Sequence, residues 1–451
     1  MPKHIPLFPR ICLVSSLALC AVSPASAQQK PERNYSYSEE ATPTLEQYGK
    51  ESALPNKDLG KILTLLEDGL GKVKNKTSYD YAMLLQLKAK TLIEKGDYAK
   101  SIEPMEQGLI LSDAQNPTFL DERVGTEVSH FLAQLYFQEA TALKDLKLQK
   151  QYFEKAELYI ERWYKTTKTP TEEGMFFYAS LLYGRAIQDD KNIDKKRVER
   201  SLEFIEKCLH LSTRPKDNLY LLKLACFQQL ERTAESAAIF ELLIQRKPES
   251  KEYWKQLAGT YMALEQPVRA IITLERAQKL GLLNTPTDNY SIFGIYFNEG
   301  QFEQAAELLE KGLKEKTIDT DEKTWELLAS CYQQLNRDFK AIDALKRATQ
   351  LFPKSGQLDF LIAQNYYQMK KLDDALLHLQ MSIRKGGGTK PAQTYLLMAY
   401  IAFELKKLDI ALDAANKAIA LPDGVKEGTR FKKALEDAIA DREEKLKNQK
   451  I

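Results

Sequence analysis

The sequence predicts an all-α fold, a solenoid of stacked antiparallel helix pairs. Three observations carry that expectation. Apolar residues recur at helical spacing along most of the chain. An aromatic and small-residue pattern returns at roughly the 34-residue period of a helix-turn-helix repeat. Proline falls between helical segments, at Pro117, Pro170 and Pro215, where helices should end.

The chain has 451 residues, with 65 Lys+Arg against 63 Asp+Glu and a formal charge of +2. So balanced a charge offers no dense basic field for nucleic acid, and nucleic-acid binding is not expected. A mean hydropathy of −0.43 excludes a multi-span membrane protein. Gly at 20 and Pro at 17 are too few for a collagenous or low-complexity chain.

Residues 1–27 read as a signal peptide. Lys3 and Arg10 form a positive start, Ile11 to Val22 is apolar, and Pro24 precedes Ala25-Ser26-Ala27, an A-x-A site ahead of Gln28. Cleavage after Ala27 would leave a mature formal charge of zero and no membrane span, and would place the protein in the periplasm. Two rival readings are a retained anchor, for which the apolar run is short, and a lipoprotein site at Cys20, for which Leu19 is too bulky. The mature chain keeps Cys208, Cys226 and Cys331, an odd number at wide spacing, which excludes a disulfide framework and reads best as small buried hydrophobes. Cys208 and Cys226 could still meet on adjacent helices. His130, His210 and His378 do not cluster with cysteine or with one another, so no metal site is expected.

After the leader, 28–56 is polar without a clear period and reads as an extended, partly disordered stretch. Residues 57–216 read as irregular helix pairs. Asp58 to Val73 is helical, and Tyr81 to Leu111 is a pair turning at Gly96-Asp97-Tyr98. Val124 to Ala140 and Gln151 to Tyr164 follow, joined by the charged stretch Leu143 to Lys150. Met175 to Ile187 and Val198 to Leu211 flank the loop at 189–192.

Six regular copies then occupy 217–423. Two begin at tryptophan: Trp254, Leu257, Ala258, Tyr261, Ala270, Leu274, Ala277, and Trp325, Leu328, Ala329, Tyr332, Ala341, Leu345, Ala348. Between them come Ile292, Phe293, Tyr296 and Ala305; after them Ile362, Ala363, Tyr366 and Ala375, then Tyr395, Met398, Ala399 and Ala411. The alanines let paired helices approach closely, and the tyrosines fill the space beside them. No pair buries its apolar stripe alone, so the stack is the folding unit. Residues 424–451 carry Phe431, Leu435 and Ile439 on one stripe and read as a capping helix.

This pattern resembles the tetratricopeptide repeat. The resemblance implies a right-handed superhelix whose first helices line a concave groove that takes a protein or peptide client. Carried over copy by copy, that face falls on Tyr290, Phe297 and Asn298, on Gln333 and Gln334, on Phe360, Gln364, Tyr367 and Gln368, and on Leu396, Tyr400 and Phe403. Amides there can bond an extended backbone while aromatic faces hold side chains. The slots that hold Lys, Arg and Asn in carboxylate-clamp members carry mostly Tyr, Phe, Gln and Gly here, which argues against that clamp. A narrower resemblance rests on Glu252-Tyr253-Trp254, Gly281-Leu282-Leu283, Leu309 to Leu313, Ala341 to Leu345 and Lys385-Gly386-Gly387. Those motifs resemble bacterial periplasmic tetratricopeptide proteins encoded beside TonB, ExbB and ExbD, which implies an accessory scaffold of outer-membrane transport. The alternative is an assembly factor for secretion, pilus or envelope-polymer machinery. No P-loop, G-x-S-x-G, H-E-x-x-H or G-x-G-x-x-G stands in a credible context, so neither enzyme activity nor a cofactor is expected.

Overall fold

The computed structural model describes residues 35–448 except 190, and the side chains of 441–448 are outside that description. The expected signal peptide lies outside the described residues. Among the described residues the chain is all-α, with twenty-one helices, and within each unit the helices pack chiefly on neighbours in sequence. The chain divides into two compact units, 1–243 and 244–451, the division falling inside α10 (Thr233–Arg246).

The first unit opens with a correction. The stretch expected to be extended carries α1 (Thr42–Ser52), entered through Pro43 in the first turn. Its sequence is too polar to show a period, but Ala41, Leu45 and Tyr48 pack on Ile62, Leu66 and Leu84 of α2 (Leu59–Lys72) and α3 (Tyr79–Lys95). The helix is held by tertiary contact rather than by its own propensity. Asp58 caps α2 through the amides of Gly60 and Lys61. Gly96 ends α3 at a φ of 87°, before α4 (Tyr98–Asp113).

Helices α5 (Glu122–Ala142) and α6 (Leu146–Thr166) follow, and α6 begins inside the stretch read as a charged connector. Asp145 accounts for the early start, because its carboxylate accepts the Lys147 and Leu148 amides. Next come α7 (Glu172–Ala186), α8 (Lys195–Leu211) and α9 (Asp217–Gln229). A half-buried ion network ties α6, α7 and α8 together: Arg185 is bonded to Glu157, and Arg197 reaches Glu157 and Asp194.

The second unit holds α11 (Lys251–Ala263), α12 (Pro267–Lys279), α13 (Pro286–Asn298), α14 (Phe302–Glu315), α15 (Glu322–Gln334), α16 (Asp338–Leu351), α17 (Gly356–Gln368), α18 (Leu372–Arg384), α19 (Pro391–Glu404), α20 (Leu408–Ile419) and α21 (Val425–Asn448). First helices start at 217, 251, 286, 322, 356 and 391, at spacings of 34, 35, 36, 34 and 35. The small residues expected between paired helices are buried, with Ala270, Ala305, Ala341, Ala375 and Ala411 at 0% exposure. On α21, Leu435 is buried, and Phe431 and Ile439 pack beside it against α19 and α20.

Every turn from a first to a second helix closes the same way. The amide of Arg232, Gln266, Gln301, Arg337, Lys371 or Lys407 reaches back five residues, to the carbonyl of Phe227, Tyr261, Tyr296, Tyr332, Tyr366 or Ala402. The residue before each donor has positive φ: Glu231, Glu265, Gly300, Asn336, Lys370 and Lys406. This is a Schellman closure repeated at one register, although only one of the six positions is glycine.

Candidate interaction face

Within α17, Phe360, Gln364, Tyr367 and Gln368 fall at i, i+4, i+7 and i+8, on one side of the helix. The opposite side buries Leu358, Ile362 and Ala363. Leu396, Tyr400 and Phe403 repeat that spacing on α19, and Tyr290, Phe297 and Asn298 keep most of it on α13.

Side-chain links hold successive first helices beside one another. Lys251 and Lys255 of α11 reach Asp288 of α13 at 2.8 and 2.6 Å. Tyr290 of α13 hydrogen-bonds Thr324 of α15, and Ser355, at the head of α17, donates to Glu322 of α15. Gln357 of α17 accepts from Thr389, just before α19, at 3.0 Å. Phe431 of α21 lies against Tyr400 and Phe403 of α19, with ring centroids 4.1 and 6.3 Å apart. The register positions named from the sequence therefore fall on adjacent helices.

Their accessibility differs. Asn298, Gln334, Gln368, Tyr400 and Phe403 are exposed, whereas Tyr290, Phe297, Gln333, Phe360, Gln364 and Tyr367 are half-buried. Leu396 is only 6% exposed, so it belongs to the core and cannot hold a client. Phe297 is committed within its own hairpin, tilted against Phe293 at 5.6 Å and edge-on to Phe302 of α14 at 5.3 Å. Tyr367 packs on the core of the last two pairs, with Lys370 Nζ 5.4 Å from its ring. Register alone finds the face; it does not reveal which members the cap or the partner helix has taken.

Charge on this face is mostly internal. Asp288 is almost fully buried; burial pushes its pKa up, but hydrogen bonds from Lys251, Lys255 and Thr285 outweigh that and hold it well below the carboxylate range. Burial raises the Tyr290 phenol, with Asp321 and Asp319 adding to the effect. Burial likewise raises the Glu326 carboxyl, helped by Glu322 and Asp321. The exposed members of the face are thus amides and aromatics. Among the described residues no His, Cys, Asp and Glu group is arranged to hold a metal ion.

A second buried carboxylate is absent from the sequence-based expectations. Three residues before Leu257, Ile292, Leu328, Ile362 and Met398 of the first helices, Trp254, Trp325 and Tyr395 alternate with Asn289 and Asp359. Asn289 accepts from Gln278 at 2.6 Å and donates to the Thr317 carbonyl. Asp359 meets His378 Nδ1 at 3.0 Å and Lys385 Nζ at 2.6 Å. Both are structural polar substitutes for an aromatic plug. The three cysteines among the described residues are buried and free; Cys208 contacts the Glu172 carbonyl and Cys226 the Ser201 hydroxyl, so they do not pair.

Comparison with known proteins agrees with this architecture. The tetratricopeptide repeat family model matches residues 325–355, which is the α15–α16 hairpin with its Trp325 start. No curated protein matches the chain. Among solved structures, YrrB, described as a TPR protein with an unusual peptide-binding site, is 18% identical over 43% of this chain and 97% of its own, with a TM-score of 0.33. Pseudomonas aeruginosa pilF is 16% identical over 48% of this chain and 96% of its own, with a TM-score of 0.30. A tetratricopeptide repeat protein from Parabacteroides merdae is 12% identical over 60% and 98%, with a TM-score of 0.29. At such identities and TM-scores nothing about binding or assembly passes from these proteins to this chain.

Proposed function

We propose that the protein is a non-catalytic interaction scaffold that holds a protein or peptide client on the first-helix face of its regular repeats. The observation that carries this reading is the run of exposed amides and aromatics, Asn298, Gln334, Gln368, Tyr400 and Phe403, at matching register on adjacent helices. Such a surface bonds an extended backbone and seats side chains without needing charge. The leader at 1–27 and the balanced mature charge favour export to the periplasm, and no described helix is long and apolar enough to cross a membrane. The motifs between 251 and 424 favour a client within a TonB, ExbB and ExbD type transport system.

The test places a photo-crosslinking residue at exposed Gln368, and a control at Asp343, which is 71% exposed on the second helix α16. Capture of TonB, ExbB or ExbD components from Gln368 and not from Asp343 is the expected result. Capture of secretion, pilus or polymer-assembly proteins from Gln368 alone would keep the face and replace the client. Equal labelling from both positions would overturn the face itself.

A further inference from the structure

The two tryptophans that open repeats have the same register and different surroundings. Trp254 Nε1 donates to the carbonyl of Pro248, six residues earlier, at 2.8 Å. In the later repeat the corresponding carbonyl, Asp319, accepts the Thr324 hydroxyl at 3.0 Å. Trp325 is 5% exposed, and its indole N–H has no partner among the described residues. A buried donor left unpaired has lost its bond to water without gaining another.

The loop ahead of the helix explains the difference. Four residues, 247–250, connect α10 to α11, whereas six, 316–321, connect α14 to α15. Lys316 turns this loop with a φ of 59°. Ile318 is tucked over Gly312 so closely that a Cβ there would lie 2.5 Å from the Ile318 side chain. The longer path leaves a cavity of about 510 Å³ among α14, α15 and α16, walled by Trp325, Leu328, Leu313 and Leu351.

Its rim is cationic. Lys314, Lys316 and Arg347 line it, with Thr320 beside them and Glu310 as the one acidic member. Glu310 is engaged by the Tyr332 hydroxyl. Lys314 and Lys316 make no ion pair among the described residues, and Arg347 holds only a 3.9 Å contact to exposed Asp343 while standing 5.2 Å over the Trp325 ring. Of the nearby carboxylates, Asp321 caps α15, its Oδ1 accepting the Thr324 amide and hydroxyl at 2.8 Å each.

We propose that this cavity binds a carboxylate that carries an apolar body. Leu313 and Leu351 take the apolar part, Lys314, Lys316 and Arg347 take the charge, and the Trp325 N–H gains an acceptor when the Arg347 side chain swings off the ring onto the ligand. A free aliphatic acid and the C-terminal residue of a peptide share this chemistry. The site is separate from the proposed client face and does not depend on it.

Calorimetric titration of the purified full chain tests the proposal, with octanoate against octanamide, and a tetrapeptide ending in a free leucine carboxylate against its amidated form. Saturable 1:1 binding of an acid, at least tenfold tighter than its amide, is expected. Whichever acid binds identifies the source. Lys314→Gln with Lys316→Gln should weaken that binding tenfold or more, while Lys279→Gln with Lys311→Gln, in the adjoining cavity on the other side of α14, should leave it unchanged. Should the first pair fail to fold, Trp325→Phe supplies the second arm, because ligand must shift tryptophan fluorescence in the parent and not in that variant. Absence of binding by both acids, equal binding of acid and amide, or unchanged affinity in the folded Lys314 and Lys316 variant would each overturn it.

Discussion

Glu265→Gly and Lys406→Gly should stabilise this protein, and Gly300→Ala should weaken it, although all three lie at one register of the same repeat. Each ends a first helix at positive φ: 56°, 60° and 69°. A side chain with a Cβ pays about 1–2 kcal/mol for that conformation. Glycine relieves this cost but loses roughly 0.5–1 kcal/mol more backbone entropy on folding. The difference leaves a net gain of about 0.5–1 kcal/mol for each glycine introduced. Glu265 and Lys406 suit the test because neither side chain makes an ion pair or hydrogen bond among the described residues, whereas Glu231 pairs with Lys195 and Lys370 covers Tyr367.

The reverse change is equally clean. A Cβ built on Gly300 meets only Phe302 Cε2, at 3.9 Å, so the expected loss of about 0.5–1 kcal/mol is conformational rather than steric. The assay is urea unfolding followed by far-ultraviolet circular dichroism, reading the midpoint at constant m. If glycine acted only by loosening the chain, Glu265→Gly and Lys406→Gly would both lower the midpoint. That result, or an unchanged midpoint for Gly300→Ala, would refute the account of the turn.

Other expectations rest on single sites. Gly174→Ala should destabilise by roughly 1–3 kcal/mol in the same assay, because the new Cβ would lie 2.2 Å from the Trp163 ring, which has no free end to give. Burial raises the Asp359 pKa, but His378 and Lys385 outweigh it and leave the group below its ordinary value. A depressed carboxylate contributes stability that is complete above the unfolded value of about 3.9 and is lost as pH falls through the folded one. Asp359→Asn should therefore flatten the acid limb of a stability-against-pH curve, and an unchanged limb would refute the pairing. Burial lifts the Cys208 thiol to about 12 and Cys226 and Cys331 to about 11. All three should resist iodoacetamide in the native state and react after denaturation, which intact mass would count.

The fold was legible because it repeats. A single helix such as α13 has little amphipathic pattern of its own, with buried and half-buried positions nearly all round, yet its alignment with α11 and α15 fixes its ends and its partner. What repetition does not cover was read less well. Helix α1 has one short apolar edge and no sister copy, so only its contact with α2 and α3 identifies it. The start of α6 depended on one capping aspartate within a run of lysines. The left-handed turn residues carry Glu, Lys and Asn as well as Gly, so composition conceals a geometry that register makes plain.

The same symmetry limits what can be read about function. Copying a face from repeat to repeat assumes that every member of a register has the same neighbours. Leu396 violates that assumption, since it sits in the core of the last pair, and Tyr400 and Phe403 share Phe431 with the cap. The chemically individual features of this chain are its departures from the repeat. Asn289 and Asp359 stand where aromatics plug other copies, and in a loop two residues longer the Asp319 carbonyl, which corresponds to the one satisfying Trp254, is taken by Thr324 and leaves Trp325 unpaired. A consensus position maintains the stack and is interchangeable in kind, whereas a buried polar group or an unpaired donor carries a local cost that the stack does not require. Specific recognition in such a protein is therefore to be sought first where the period breaks and a cavity opens, and only then along the face that every repeat supplies.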